Sequence, residues 1–246
     1  MFTVEARKRL RDALVSVAQA DARISAAALV GSSALGREDE WSDIDLALSI
    51  DADAERPAVI AEWTDRMYVE HAAVHHLDLP HGKTLYRVFL LADTLQVDLS
   101  FWPAAEFGAI GSDFRLLFGA TTNERPAPVP AAVELIGMAW LYALHARSSV
   151  ARGRVWQAEY MISGMRDHVL ALACLRHDLP TVHGRGFDRL APEVTAAVKP
   201  AVVRSLDISE LKRAFAAVTE ALLGEAEHAD AALADRLAGP LRELAR

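Results

Sequence analysis

Apolar residues recur through residues 4–20 at Val4, Leu10, Leu14, Val17 and Ala18, a helical spacing that predicts an amphipathic helix. Ile24 to Val30 (ISAAALV) is then a short, unbroken apolar run that stops at Gly31, as expected of a buried strand. Asp43 to Ile50 (DIDLALSI) alternates acidic and apolar residues, which is strand periodicity. Residues 56–70 return to a helical pattern, and two more strand-like runs follow at Leu85 to Leu91 and Leu95 to Phe101. The segment Thr121 to Pro130 (TTNERPAPVP) holds three prolines and little that could pack, so it predicts a linker. Beyond it the texture changes to long helical stretches at 131–150, 154–176, 192–204, 207–226 and 228–245. Within the first of these, Leu135, Met138, Ala139, Leu141 and Tyr142 are expected in the core. The pattern divides the chain into an α/β (α+β) domain at 1–124 and an all-α helical bundle at 125–246.

Composition changes this picture little. The chain has 246 residues, 52% hydrophobic and 24% charged, an ordinary globular balance. No apolar run approaches the roughly 18 residues of a membrane helix. The first residues, MFTVEARKRLRDAL, have no apolar core with a small-residue cleavage site, so no signal peptide is expected and the cytoplasm is the default location. Cys174 is the one cysteine, in an apolar helical setting (ALACLRH) that predicts a buried core thiol.

Charge is more informative. The net formal charge is -8, and residues 1–124 carry 11 Lys+Arg against 20 Asp+Glu, while 125–246 carry 15 against 14. An acidic protein is poorly suited to a long polynucleotide, whose affinity comes largely from phosphate neutralisation. The acidic half suits divalent cations or a cationic small molecule.

The candidate chemistry lies in Gly31-Ser32-Ser33-Ala34-Leu35-Gly36-Arg37, followed by Trp41-Ser42-Asp43-Ile44-Asp45-Leu46. A strand ends in Gly-Ser, and the next strand carries two aspartates at i and i+2, which period 2 places on one face. Paired carboxylates repel each other unless a cation lies between them, and Mg²⁺ takes one or two carboxylates together with water and phosphate oxygens. A Gly-Ser turn offers backbone N–H groups and a hydroxyl to phosphate, with no bulky side chain in the way. A third acid, Asp98 in LQVDLS, joins the site if its strand pairs beside the first. Three carboxylates with two metals would make a two-metal phosphoryl-transfer centre.

This order of elements resembles the DNA polymerase β-like nucleotidyltransferase superfamily: an apolar strand, Gly-Ser, a spacer of about a dozen residues, Asp-x-Asp with apolar neighbours, and a third acid on a later strand. Gly31, Ser32, Asp43, Asp45 and Asp98 match in order, and the likeness spans roughly residues 24–101. In architecture and size the chain also resembles the bacterial aminoglycoside and lincosamide nucleotidyltransferases, which pair a compact catalytic domain with a C-terminal helical bundle. The resemblance implies a small mixed sheet, two Mg²⁺ ions, and ATP or another nucleoside triphosphate as co-substrate. It implies attack of an acceptor hydroxyl on the α-phosphate, with loss of pyrophosphate. Asp43 and Asp45 are then metal ligands, and Asp98 is either a third ligand or the general base.

Around this core stand residues with two readings each. Ser33 either contacts phosphate or caps the turn, and Arg37 either approaches the triphosphate or stays in solvent. In the helical half, Trp156, Glu159, Tyr160 and Arg166 are the candidate acceptor-binding residues. Glu159, Ser163 and Arg166 share one helix face, so an internal Glu–Arg pair is the competing reading. Arg147, Arg152 and Arg154 could likewise meet the triphosphate. His71 and His75 are spaced i, i+4, with His76 alongside, but no Glu follows either as in a zinc-binding helix, so all three read as ordinary histidines. The run His183-Gly184-Arg185-Gly186 has no preceding strand and no following Lys-Ser/Thr, and reads as a turn. The expected partners are a nucleoside triphosphate and a small hydroxyl acceptor, with no long nucleic acid and no membrane, in a monomer or homodimer. The rival readings are a protein or tRNA acceptor, and a catalytically silent nucleotide-binding module.

Overall fold

A computed structural model describes residues 1–52, 55–122 and 124–246. Asn123, inside the expected linker, lies outside the described residues. The chain forms two compact units, Met1–Ala127 and Pro128–Arg246.

In the first unit, α1 (Val4–Ala20) starts where the Thr3 hydroxyl accepts a hydrogen bond from the Ala6 N–H at 3.1 Å, an N-cap. The helix buries Arg7, Leu14 and Ala18 along one stripe. It is followed by β1 (Ile24–Val30), the one-turn helix α2 (Gly31–Ala34), β2 (Ile44–Ile50), α3 (Arg56–Glu70), β3 (Ala73–His81), β4 (Thr84–Leu91), β5 (Gln96–Pro103) and β6 (Phe114–Phe118). The six strands make one mixed sheet in the order β3–β4–β5–β2–β1–β6. β2 and β5 run parallel, whereas the β3–β4, β4–β5, β1–β2 and β1–β6 pairs are antiparallel.

One face of the sheet is sealed. Leu14 and Ala18 of α1 and Val59, Trp63 and Met67 of α3 pack with Ile44, Leu46, Phe89, Val97, Leu99 and Phe101. Burying such side chains is the main source of the unit's stability, at roughly 25 cal/mol per Å² of apolar surface. The opposite face is covered only in part, by a small cluster of Ala26, Ala28, Ala47, Trp102 and Phe107. The central strand β1 reads as a near-unbroken apolar run because both of its faces meet protein in this way, whereas β2 is largely apolar beyond Asp45.

Two strands were not expected from the sequence. β3 runs through the histidine-rich segment that follows the helical pattern at 56–70; His71 follows directly on α3, and His75 and His76 lie on β3. β6 is five residues long. Both are edge strands with mostly partly or fully exposed side chains, and edges lack the apolar run that marks a central strand.

The second unit consists of α4 (Ala132–Ala151), α5 (Val155–Arg176), α6 (Pro192–Val198), α7 (Ile208–Ala229) and α8 (Ala231–Leu244). Ala139, Ala143 and Ala146 of α4 pack with Ile162, Met165 and Val169 of α5 and Phe215, Val218 and Leu222 of α7. Two expectations fail here. The stretch 192–204 stops being α-helical at Val198 and tightens into a 3₁₀ turn at Lys199–Ala201, where Pro200 has no N–H to donate. Met138 and Leu141 are exposed, not in the core with Leu135 and Ala139; they fall off the stripe that α4 turns toward α5. Among the described residues no helix is long and apolar enough to cross a membrane.

Candidate active site

The parallel pairing of β2 with β5 makes Asp45 and Asp98 direct Cα partners. Asp43 stands just before β2, in the loop that leads into it. One carboxylate oxygen from each of Asp43, Asp45 and Asp98 lies within 4.8 Å of the other two, and all three side chains are half-buried. Gln96, two residues before Asp98 and therefore on the same face, donates its amide Nε2–H to both Asp98 oxygens (3.0 and 3.2 Å) and to Asp43 Oδ2 (3.3 Å). Burial pushes the Asp98 carboxyl up to about 6, helped by the neighbouring Asp43 charge and opposed by the Gln96 amide.

Gly31 sits at the opposite side of Asp45. Its φ of +64° is in the left-handed region, and a Cβ added there would stand 2.5 Å from Asp45 Oδ2. The glycine is therefore required twice, by its backbone conformation and by the carboxylate lying against it. Ser32 carries a hydroxyl that is shielded from solvent and has no hydrogen-bond partner. The Ser33 side chain is buried, and its hydroxyl donates to the Val30 carbonyl at 3.3 Å, closing the turn. Arg37 is exposed, with its backbone N–H on the Ser32 carbonyl at 3.0 Å.

A residue that the sequence reading passed over holds the loop between α2 and β2. Arg7 of α1 is 1% exposed, and its Nη1 donates to the carbonyls of Asp39 and Ser42, the latter at 2.9 Å. Its Nε also lies 3.7 Å from Glu38 Oε1, and Glu38 pairs with Arg11 at 2.9 Å. Asp39 fastens the same loop from within, accepting from the Trp41 N–H (2.9 Å) and the Ser42 hydroxyl (3.0 Å). The Ser42 carbonyl belongs to the peptide that leads into Asp43, so Arg7 fixes where that carboxylate starts.

The residues present suit a divalent cation. Three oxygen donors converge, a glycine gives way to one of them, and an unused hydroxyl lies beside the glycine. Among the described residues, this is the one group of three or more His, Cys, Asp or Glu side chains close enough to share a metal. The histidines do something else: the Tyr68 hydroxyl bonds His76 Nδ1 at 2.9 Å, and His76 packs on Phe89.

Trp156, Glu159, Tyr160 and Arg166 all lie on α5, whereas Arg147 is on α4. The Ser163 hydroxyl donates to Glu159 Oε1 at 2.6 Å, and Arg166 Nη1 donates to Ser163 Oγ at 3.3 Å, so serine bridges the expected Glu–Arg pair. Arg166 also pairs with Asp167 at 3.0 Å. Trp156 and Tyr160 are 75% and 62% exposed, and Tyr160 lies near the Tyr142 ring. Arg147, Arg152 and Arg154 are exposed. Cys174 is buried, and burial raises its thiol pKa, as suits an inert core cysteine. The 183–186 run is a tight turn: a Cβ on Gly186 would stand 2.3 Å from the Pro180 carbonyl oxygen and 2.8 Å from Cys174 Sγ.

Residues 7–106 match the family model of the nucleotidyltransferase domain. The matched residues fall within the N-terminal unit and include Gly31, Ser32, Asp43, Asp45 and Asp98. Among solved structures, it is similar over 99% of its length to 99% of an aminoglycoside 6-adenyltransferase from Bacillus subtilis, at 12% identity and a TM-score of 0.41. No curated protein matches it in sequence.

Proposed function

We propose that the chain transfers a nucleoside monophosphate, AMP from ATP by default, to a hydroxyl of a small-molecule acceptor of the aminoglycoside or lincosamide type. The observation that carries this reading is the convergence of Asp43, Asp45 and Asp98 within 4.8 Å, beside a glycine whose Cα lies against Asp45. Asp43 and Asp45 would hold Mg²⁺, with Asp98 close enough to share it. When bound, the metal neutralises triphosphate charge and favours departure of pyrophosphate. Gly31 and Ser32 take phosphate oxygens through a backbone N–H and the unused hydroxyl. Asp98 accepts the proton of the acceptor hydroxyl, whose oxygen bonds to the α-phosphorus as the bond to pyrophosphate breaks. The helical unit, through Trp156, Glu159, Tyr160 and Arg166, contributes acceptor contacts.

The test is pyrophosphate release from each of the four ribonucleoside triphosphates with Mg²⁺ and a panel of aminoglycosides and lincosamides. Release should depend on the acceptor, and Asp43→Asn should lower it by roughly three orders of magnitude or more, the scale set by removing a group that acts in the transition state. Near-normal turnover in Asp43→Asn would refute the two-metal reading. Release without any acceptor would refute transfer to a small molecule.

A further inference from the structure

The acids do not lie on an isolated patch of sheet. Strand register extends their row across two more strands: Asp45 pairs with Asp98, Asp98 with Val88, and Val88 with Leu77. Directly paired residues project to the same face, so a line of two carboxylates runs straight into two apolar side chains. On one side of that line Leu90 pairs with Gln96 and with the exposed His75, and on the other Tyr86 pairs with Ser100 and Leu79. Leu77, Leu79 and Leu90 are 56%, 50% and 50% exposed, whereas their strand neighbours Phe89 and Leu99 are sealed under α1 and α3. The carboxylate of β3, Asp78, falls on the opposite face, where Arg87 holds it bidentately at 2.6 and 2.7 Å. The result is an apolar ledge with no acidic side chain of its own, joined edge to edge with the acid cluster. Single exposed leucines need no explanation, but a contiguous group beside a reactive centre does.

The order of strands says what the ledge can hold. Gly31 and Ser32 lie on the β1 side of Asp45, and the ledge lies on the β4–β3 side of Asp98. A triphosphate gripped by Gly31 and Ser32 therefore leaves the far side of Asp98 to the acceptor. We infer that the ledge formed by Leu77, Val88 and Leu90 binds the acceptor, and that the acceptor is amphipathic, with an apolar face next to its reacting hydroxyl. This rests on the transfer reaction proposed above and narrows its acceptor. Strands lie about 4.8 Å apart, so the apolar face must begin roughly 5 Å and end roughly 10 Å from the hydroxyl that meets Asp98. A polycationic sugar would find no partner on this surface, and its charges would sit on leucine.

The test measures equilibrium binding to the full chain saturated with Mg²⁺ and α,β-methylene-ATP, whose carbon bridge blocks transfer. The probes are lincomycin, an amphipathic lincosamide, and kanamycin, a polycationic aminoglycoside. Lincomycin should bind the more tightly. Leu77→Asp should weaken it about tenfold or more, while Leu77→Met keeps it within about twofold, and both variants should bind α,β-methylene-ATP like the parent, the scale expected when a charge enters an apolar contact. Tighter kanamycin binding, unchanged lincomycin affinity in Leu77→Asp, or binding of neither probe would overturn the inference. So would weakened α,β-methylene-ATP binding in Leu77→Asp, because that would put the nucleobase on the ledge. If α,β-methylene-ATP fails to bind the parent chain, the transfer reading itself falls, and the ledge with it.

Discussion

The two units spend their polar residues differently. In the sheet unit, polar groups are set into otherwise apolar strands: Asp45 interrupts IDLALSI, and Asp98 interrupts QVDLSFWP. Three carboxylates gathered within 4.8 Å repel one another, so their convergence suits a cation. In the helical unit, polar groups lie on outer helix faces, where Glu159, Ser163 and Arg166 satisfy one another. A face that pairs opposite charges through a serine gathers no like charges and gives no such argument. The contrast explains why the sheet unit offers a candidate ligand site, whereas the polar face of α5 does not by itself point to one.

The contrast can be tested first at Arg7, where the largest stability effect is expected. Its guanidinium is buried against two loop carbonyls and Glu38. Arg7→Ala should destabilise the sheet unit by about 3–5 kcal/mol, the usual result of removing one partner from a buried charged network. Arg7→Lys should recover part of this, because ammonium restores the charge but not the fork of donors. Thermal unfolding gives the stability, and Mg²⁺ titration reports the loop: if Arg7 acts by placing Asp43, Mg²⁺ affinity should fall in Arg7→Lys even where the fold survives. Unchanged melting of Arg7→Ala would mean the loop holds itself.

This residue also shows the limits of the sequence. Arg7 belongs to the basic run ARKRLR, which reads as a solvated face. Its position was the available signal, since Arg7, Leu14 and Ala18 fall on one helical stripe. Gln96 gave no signal, because a neutral amide has no motif; its role appears only when β5 lies beside β2. The Asp43–Asp45 pair was legible through period 2, whereas Asp98 joined it only if its strand lay beside β2, and the parallel register supplies that condition. β3 was not legible, because it is an edge strand whose side chains are mostly exposed and it carries no apolar run. For the same reason the apolar ledge could not be seen before the register was known.

A second test concerns Asp98, with its carboxyl at about 6. Burial raises this group in the folded protein above its ordinary value of 3.8, so folding prefers the protonated acid. The metal-free fold is thus unpenalised below pH 4 and loses stability as the pH rises from about 4 through 6. By the usual linkage of about 1.36 kcal/mol per unit, the loss above pH 7 is at most about 3 kcal/mol. Asp98→Asn should therefore melt higher than the parent in EDTA at pH 7.5 and equal it near pH 4. Mg²⁺ should stabilise the parent more than the variant and narrow the gap. An advantage for Asp98→Asn that persisted at pH 4 would mean the gain comes from packing and not from charge.

The smallest effects are expected on α5, and they decide whether its polar face serves the acceptor. Glu159→Gln keeps the shape of the side chain and can still accept from Ser163, so stability should change by less than about 0.5 kcal/mol. If Glu159 meets the acceptor, the KM for that acceptor should rise by severalfold, about tenfold at most, with kcat and the triphosphate KM unchanged, since a contact made equally in ground and transition states moves KM alone. Trp156→Ala, at an exposed ring, should leave stability within the same limit and raise the acceptor KM in the same way if the indole stacks on the acceptor. A fall in kcat with constant KM would give Glu159 a chemical role. No change in any constant would leave α5 a self-satisfied helix face and shift the burden of acceptor recognition onto the leucines of β3 and β4.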